Sequence, residues 1–517
     1  MIRSFLTVSS GTLASRLLGF LRDSMIAALL GTGAVADAFL VAFQLVNVAR
    51  RLLSEGALNA ALVPAWLRLR DTGGAAEAAA FAGRVLGTIS AALIAITVLI
   101  GLVMPLVIAL FAPGFAGQET SRLAVINARL MLPYLAFAGP ATVLLALASA
   151  QGRFFLTAFS PLLFNIALIV VMIVLLFAHR DTDFVAPTLA ATVGIAGFLQ
   201  LLILALRRGE RIATPLRVGF DGQMRGFLAR AIPGMVASSA PQLLIVAGAI
   251  IASHLPSAVS WLYFANRLIE LPLGMVGVAM GTVLIPELTR ALHSGDKSAI
   301  VNAESRALEL AVGLALPAML GLIALNEPIV RLLFEHGAFT TADTRATSSA
   351  LIWLALGLPA HVLVKALSPA FFAREDTYLP LLATLKAVAL CIVLALALGH
   401  FFGASGIAAA VACGAWINAF SLIRQGAATF GFSLDAPAQR RLPRIAAAAL
   451  LMGASLWLVA GFAANVHRLA QAVVLLVLIA AALAAYGLLL TAFGVTGWRE
   501  VVNAIRQSKP RDLRTSR

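Results

Sequence analysis

Uncharged, apolar stretches of about twenty residues recur from one end of this chain to the other. Each is long enough to cross a ~30 Å hydrocarbon core as an α-helix, which satisfies its own backbone hydrogen bonds inside lipid. Composition agrees. Of 517 residues, 61% are hydrophobic and 12% charged, where a soluble domain has about a quarter of its residues charged. The chain is therefore expected to be an all-α polytopic membrane protein.

Fourteen spans are expected, near residues 4–30, 37–66, 84–111, 123–150, 158–178, 184–206, 230–253, 258–289, 305–325, 345–372, 379–399, 404–424, 444–464 and 469–494. The connections alternate in charge. One set carries Arg68, Arg70 and Arg84, Arg153, then Arg207, Arg208, Arg211, Arg217 and Arg225, and later Arg290, Lys297, Arg306, Arg374, Arg440, Arg441, Arg444 and the tail from Arg499 to Arg517. The other holds little beyond Arg122, Arg180, Arg331, Arg345 and Arg468. The positive-inside rule then places both termini in the cytoplasm, as an even number of spans requires. The formal charge of +15 would suit nucleic acid, but its cations sit mostly in short loops, where topology explains them. No nucleic-acid partner is expected. Arg16, Arg22 and Asp23 interrupt the stretch where a signal peptide's apolar region would run, so the first helix is expected to be retained. Cys391 and Cys413 lie within apolar segments and offer neither a disulfide framework nor a metal-ligand spacing.

The chain repeats itself. FLVAFQLVNVARRLLSEGALNAALVPAW matches WLYFANRLIELPLGMVGVAMGTVLIPEL, bringing Ala42 near Ala265 and Pro64 onto Pro286. LFAPGFAG matches LFEHGAFT, GPATVLLALA matches LPAHVLVKAL, and FSPLLFNIAL matches YLPLLATLKA, so Phe111, Gly114, Pro140 and Pro161 fall on Phe334, Gly337, Pro359 and Pro380. The offset stays near 220 residues. Six spans per copy give both copies one orientation, and parallel repeats of this kind mark transporters with a substrate site between the halves. The expected organisation is two pseudo-symmetric six-helix lobes, residues 1–215 and 216–430, followed by spans thirteen and fourteen with a basic cytoplasmic tail, residues 431–517. These last two spans carry almost no polar side chains. They read either as lipid-facing scaffold or as an apolar groove for a long lipid tail.

Against this apolar background the stretch from Leu13 to Asn59 stands out. It reads as two helices joined by GTGAVA, and it carries Arg16, Arg22, Asp23, Asp37, Arg50, Arg51 and Glu55. At 100° per residue Arg16 and Asp23 share a direction with Ser9, Thr12 and Gly19, and Ser15 and Arg22 lie beside that stripe. On the second helix Asp37, Gln44, Asn47, Arg51, Ser54 and Glu55 fall on one side, with Arg50 at its edge. In the eighth span Ser260, Glu270, Gly274, Gly277 and Gly281 share the side of Arg267. An Arg at a helix centre costs about 2.5–3.5 kcal/mol to insert, so Arg16, Arg22, Arg50 and Arg267 facing lipid would cost on the order of 10 kcal/mol. They must face water, an acid or an anionic ligand. The candidate binding residues are thus Arg16, Arg22, Arg50 and Arg267 with Ser15, Asn47 and Ser260, and the candidate cavity acids are Asp23, Asp37, Glu55 and Glu270. Plainer roles compete. Arg51 and Glu55 are spaced to pair within their helix, as are Arg267 and Glu270. Snorkelling or a structural hydrogen bond accounts for His361, Lys365 and Lys386 as well as transport would, and Arg129 reads as structural.

Guanidinium groups grip phosphate in a planar, bidentate way. Three or four that converge imply a polyanion, most simply a diphosphate. No G-x-x-x-x-G-K-[ST] loop and no large soluble domain exist to use ATP. Energy would come from a monovalent cation gradient or from the membrane potential, worth about 2.3 kcal/mol per charge per 100 mV. No cofactor and no metal are expected. An enzyme acting on a prenyl diphosphate would need grouped acids to hold a metal, and these acids are dispersed among arginines. The chain is expected to be a transporter.

The residues ASRLLGFLRD, ADAFLVAFQLVNVARRLLSEGALNAALVPAW and VSWLYFANRLIELPLGMVGVAMGTVLIP resemble the signature of the MurJ (MviN) lipid II flippases, within the multidrug/oligosaccharidyl-lipid/polysaccharide exporter superfamily. The resemblance runs from the first helix through the twelfth and includes the arginine positions. It implies a flippase that moves undecaprenyl-diphosphate-linked disaccharide-pentapeptide, lipid II, from the inner to the outer leaflet of the cytoplasmic (inner) membrane by alternating access. Membrane lipids and the cell-wall synthesis machinery would be its other partners. The family's cavity arginines map onto Arg16, Arg22, Arg50 and Arg267, and its polar and acidic positions onto Ser15, Asp23, Asp37, Asn47, Glu55 and Ser260. At Asn266 the chain departs from the acid that many members carry. Two alternatives stay open at this point: an exporter of another polyprenyl-diphosphate-linked oligosaccharide, and a drug or cation antiporter of the same superfamily. Cationic substrates would call for exposed acids rather than arginines.

Overall fold

The computed structural model describes residues 2–54, 57–206, 213–237, 240–279, 287–288, 290–291, 295–372, 374, 376–464 and 468–495. Among them every regular element is helical. The first are α1 (Ile2–Leu30), α2 (Ala34–Ser54), α3 (Ala57–Leu102), α4 (Met104–Phe111), a 3-10 turn at Pro113–Phe115, α5 (Glu119–Met131) and α6 (Pro133–Ala150). Then come α7 (Phe154–Ala178), α8 (Thr182–Leu206), α9 (Gly222–Ala237), α10 (Ala240–Ala252) and α11 (Ala258–Ala279). The remainder are α12 (Lys297–Ala324), α13 (Asn326–Phe334), α14 (Thr341–Phe372), α15 (Tyr378–Phe430), α16 (Ala436–Ala464) and α17 (Arg468–Ala492). Eight helices among the described residues are long and apolar enough to cross a membrane, and Leu162–Ala178 and Gln242–Ala252 are shorter apolar ones.

Glycine sets several boundaries. The segments expected at 379–399 and 404–424 join in α15, which turns at Gly403 with φ 59 and ψ −139. Gly74, with φ 81 and ψ 179, divides α3 in the same way. Both conformations are open to a residue without Cβ and strained for any other. The turn after α1 is shorter than GTGAVA, since Ala34 already belongs to α2.

The sequence repeat has a structural counterpart. A long helix, a single break residue and a short helix ending on phenylalanine occur twice, as α3, Val103 and α4 to Phe111, and as α12, Leu325 and α13 to Phe334. The glycine that follows is pressed against backbone each time. A Cβ on Gly114 would collide with the main chain of Ser253 and His254 at the end of α10, and one on Gly337 with the carbonyl of Ala28 near the end of α1. Hydrogen bonds join the same places: Gly114 N–H donates to Ser253 Oγ at 3.0 Å, and Ala338 N–H to the Ala28 carbonyl at 2.9 Å. Each copy's turn thus abuts an early helix of the other copy. Asp37 and Ser260, 223 residues apart and so close to the repeat offset, are bonded directly to one another.

By its contacts the chain divides into two compact units. All the contacts just described lie in the first, formed by Met1–Leu271, Leu333–Gly357 and Glu375–Asn418. There α1 packs on α7, α2 on α5, α6 and α8, and α3 on α6 and α9. A carboxylate staples three of its turns. Asp343 Oδ1 accepts from Thr32 Oγ1 at 2.6 Å and Trp261 Nε1 at 3.0 Å, and Oδ2 from the Thr340 N–H at 2.9 Å and hydroxyl at 2.7 Å. The second unit comprises Pro272–Leu332, Leu358–Arg374 and Ala419–Arg517. In it α12 lies along α16, and α16 along α17, over Ala448, Ala449, Met452 and Tyr486. Small residues permit that approach: a Cβ on Gly453 would fall 2.8 Å from Leu320 Cβ, and Tyr486 Oη reaches the Gly313 carbonyl at 2.8 Å. Leu450, Trp457, Leu458, Leu476, Leu483 and Leu488 point outward and are exposed, as lipid-facing helices require.

Gly31 offers a direct test of this packing. Its φ is 61, and a Cβ would lie 2.6 Å from the Ala338 carbonyl oxygen. Gly31→Ala is expected to cost about 1–2 kcal/mol for the left-handed backbone alone, lowering the melting temperature of the detergent-solubilised protein. Gly461→Ala, in a helix with open space around it, should leave that temperature unchanged or raise it slightly.

Candidate functional site

The first unit encloses a cavity of about 500 Å³, walled by α1, α2, α6, α7, α8, α10 and α11 with single residues from α14 and α15. Ser15, Arg16, Gly19 and Arg22 reach it from α1, Gln44, Asn47 and Arg50 from α2, and Tyr263, Asn266, Arg267 and Glu270 from α11. The spacing explains the grouping. Positions 15, 16, 19 and 22 are three or four apart, so they rise along one side of a helix, as do 263, 266, 267 and 270. All four arginines singled out in the sequence therefore meet on one hollow, along with Ser15, Asn47 and Glu270.

Asp23 stands immediately behind this wall and is 0% exposed. Its Oδ1 accepts from Arg22 Nε at 2.9 Å and Nη2 at 2.7 Å, and from the Tyr263 hydroxyl at 3.4 Å. Its Oδ2 pairs with Arg267 Nε. Arg267 also pairs with Glu270 Oε2 through Nη1 at 2.8 Å, the intrahelical contact that the spacing allowed. Asn266 donates to the other Glu270 oxygen at 3.4 Å, so an amide occupies the place where an acid had been expected. Arg16 Nη1 approaches the Glu270 carbonyl at 3.5 Å. Arg22, 6% exposed, lies between the Phe43 and Phe164 rings, 5.0 and 5.7 Å from their centroids. Gly19 makes room for the crossing: a Cβ there would fall 2.7 Å from Arg267 Nη2.

The other candidates fall elsewhere. Asp37 and Ser260 are both buried, and they bond each other through the Ser260 N–H at 2.9 Å and its hydroxyl, so neither lines the cavity. Glu55, the tail from Arg499 to Arg517, Gly281, Pro286 and the loop arginines Arg207, Arg208 and Arg211 lie outside the described residues, and the side chain of Arg51 is likewise undescribed. His361 is buried in the second unit, while Lys386 is exposed in the first. Arg129 Nε donates to the Gly101 carbonyl at 3.1 Å, a structural bond.

Several wall residues had not been singled out: Tyr134, Thr142 and Ser149 of α6, Asn165 of α7, Gln200 of α8 and Gln242 of α10. Each is a polar group within an apolar span, which is the signal that finds them. Gln200 Nε2 donates to Ser160 Oγ at 2.7 Å, and Asn165 bonds both Arg22 and the Ser15 carbonyl. Chemically, the wall offers a surplus of guanidinium over carboxylate beside a band of amides and hydroxyls. That surface suits a large anion carrying further hydrogen-bonding groups. Among the described residues, no cluster of three or more His, Cys, Asp or Glu could hold a metal.

Known proteins agree with this architecture. The family profile of lipid II flippase MurJ matches residues 26–489. A Rhizobium meliloti protein named probable lipid II flippase MurJ is 37% identical over 530 residues, covering 100% of this chain and 97% of its own. A Burkholderia cenocepacia protein named lipid II flippase MurJ is 30% identical over 436 residues, 82% of this chain and 83% of its own. Among solved structures, a lipid II flippase MurJ in an inward closed conformation superposes with a TM-score of 0.77 at 23% identity, over 96% of this chain and 100% of that one. An inward-facing multidrug transporter of the MATE family, in the MOP superfamily, gives 0.66 at 17% identity, over 83% of this chain and 95% of its own. The superpositions establish a polytopic transporter fold. The profile match and the identities go further: this chain belongs to the lipid II flippase MurJ family.

Proposed function

We propose that this protein is a lipid II flippase. It carries undecaprenyl-diphosphate-linked disaccharide-pentapeptide from the inner to the outer leaflet of the cytoplasmic membrane, with both termini in the cytoplasm. The observation that carries the proposal is the convergence of Arg16, Arg22, Arg50 and Arg267 on one hollow among apolar helices. In low dielectric such a group is tolerable only with counter-charge. Asp23 and Glu270 contribute to it, and a diphosphate would add to it. The amides and hydroxyls beside the arginines suit a glycan and peptide, whose many donors and acceptors need partners once they leave water. The prenyl tail is too long for such a hollow and would stay in lipid along the apolar outer faces.

Movement would follow alternating access, one repeat rocking against the other around the arginines. The turns joined by Asp343, by Asp37 with Ser260, and by Gly31 and Gly337 against Ala338 and Ala28 would then have to part. A monovalent cation or the membrane potential would drive the cycle. The excess of arginine over acid on the wall weighs against a cationic drug as substrate, and membership of the family favours lipid II over other polyprenyl-diphosphate sugars.

Two outcomes test this proposal. Arg16→Ala, Arg50→Ala and Arg267→Ala should each abolish growth of a host depleted of its own flippase, at unchanged membrane levels. Lipid-linked precursor would then stay shielded from an externally added cleaving enzyme. Full complementation by all three variants would exclude an anion-binding cavity. Asp23→Asn should lose both function and stability, since removing one partner of a buried charge cluster costs about 3–5 kcal/mol. Thermal unfolding in detergent would show the drop.

A further inference from the structure

Asn165 is a carboxamide in the middle of a largely apolar helix, α7, and it is 6% exposed. Buried amides keep their place by bonding. Its Oδ1 accepts from Arg22 Nη1 at 3.0 Å, and its Nδ2 donates to the Ser15 carbonyl at 3.1 Å. These partners are seven residues apart, two turns of α1. The side chain therefore grips α1 at two levels, and its orientation is fixed by chemistry: oxygen toward the cation, nitrogen toward the carbonyl.

The consequence falls on Arg22. Asp23 holds Nε and Nη2, Asn165 holds Nη1, and the Phe43 and Phe164 rings flank the guanidinium. Phe164 adjoins Asn165 on α7, so one dipeptide supplies both a ring contact and an acceptor. Three of the five N–H groups of the guanidinium are engaged in these contacts among the described residues. Its plane is set while the side chain still lines the cavity. Bidentate recognition of phosphate depends on such a fixed plane. The repeat sharpens the point. FSPLLFNIAL matches YLPLLATLKA, which puts Ala383 and Thr384 at the corresponding positions. There Thr384 accepts from Asn418 Nδ2 at 3.4 Å instead. Only the copy that carries Arg22 carries the Phe-Asn pair.

We infer that Asn165 is a positioning residue for substrate binding, acting through Arg22 to hold its guanidinium plane toward the diphosphate. This rests on the substrate proposed above. The test is a double-mutant cycle on purified full-length protein in nanodiscs, with undecaprenyl diphosphate as the probe. Asn165→Leu, close in volume but without a polar atom, should weaken binding about tenfold, with a melting temperature near that of the parent. On an Arg22→Lys background, which keeps the charge but loses the plane, it should cause no further loss. On an Arg50→Lys background the full loss should return. Parental affinity for Asn165→Leu, or the same loss with and without Arg22, would overturn the inference. Should Asn165→Leu not fold, Asn165→Ser, too short to reach Arg22, takes its place in the same cycle with the same expectations. A parent protein that does not bind the probe would instead overturn the diphosphate substrate itself.

Discussion

Asp23 has no contact with solvent, and both of its oxygens are taken by guanidinium groups, Arg22 from its own helix and Arg267 from α11. A single carboxylate thereby ties together two helices that sequence places more than two hundred residues apart. Without it, among the described residues, Arg22 would keep only the Asn165 amide as a hydrogen-bond partner and Arg267 only Glu270, and a poorly compensated cation among apolar helices costs several kcal/mol. Much else follows from that junction. Gly19 lacks a side chain so that Arg267 can cross α1, and Tyr263 turns its hydroxyl toward the same acid. Arg16, two turns away, is drawn toward the Glu270 carbonyl.

What the sequence disclosed followed the size of the energetic penalty. Arginines inside apolar runs are expensive, so Arg16, Arg22, Arg50 and Arg267 could be recognised and assigned to a common hollow before any coordinates. Neutral amides are cheaper and leave a fainter trace, and so Asn165, Gln200 and Gln242 went unremarked although they share the wall. A stripe at 100° per residue gives direction around a helix but says nothing about the neighbour that waits there. Ser260 does lie on the side of Arg267, yet it meets Asp37 one and a half to two turns away along α11. Gly74 and Gly403, where the backbone turns inside a continuous helical run, fall in the gaps expected between 66 and 84 and between 399 and 404.

The repeat was readable from proline and glycine registers, and the structure gives the glycine register a reason. Gly114 and Gly337 are the places where a turn of one copy touches main chain of the other, so the absence of a Cβ is needed twice. Divergence between the copies is equally informative. Where the first places Phe164 and Asn165 around Arg22, the second places Ala383 and Thr384. Of the four cavity arginines, Arg16, Arg22 and Arg50 come from the first copy and Arg267 from the second.

In the proposed cycle, the carboxylates set among the arginines would also decide which state of the hollow responds to an electric field. Among the described residues, four guanidiniums and the carboxylates of Asp23 and Glu270 sum formally to two positive charges. A diphosphate diester carries roughly one negative charge per phosphate, so the proposed cargo brings that sum close to zero. With a passenger aboard, the moving parts would be nearly invisible to voltage. With the passenger gone, they would carry net charge, and an interior-negative potential would pull them home. Under the proposed cycle, the membrane's electrical work is spent on resetting the machine rather than on lifting its load.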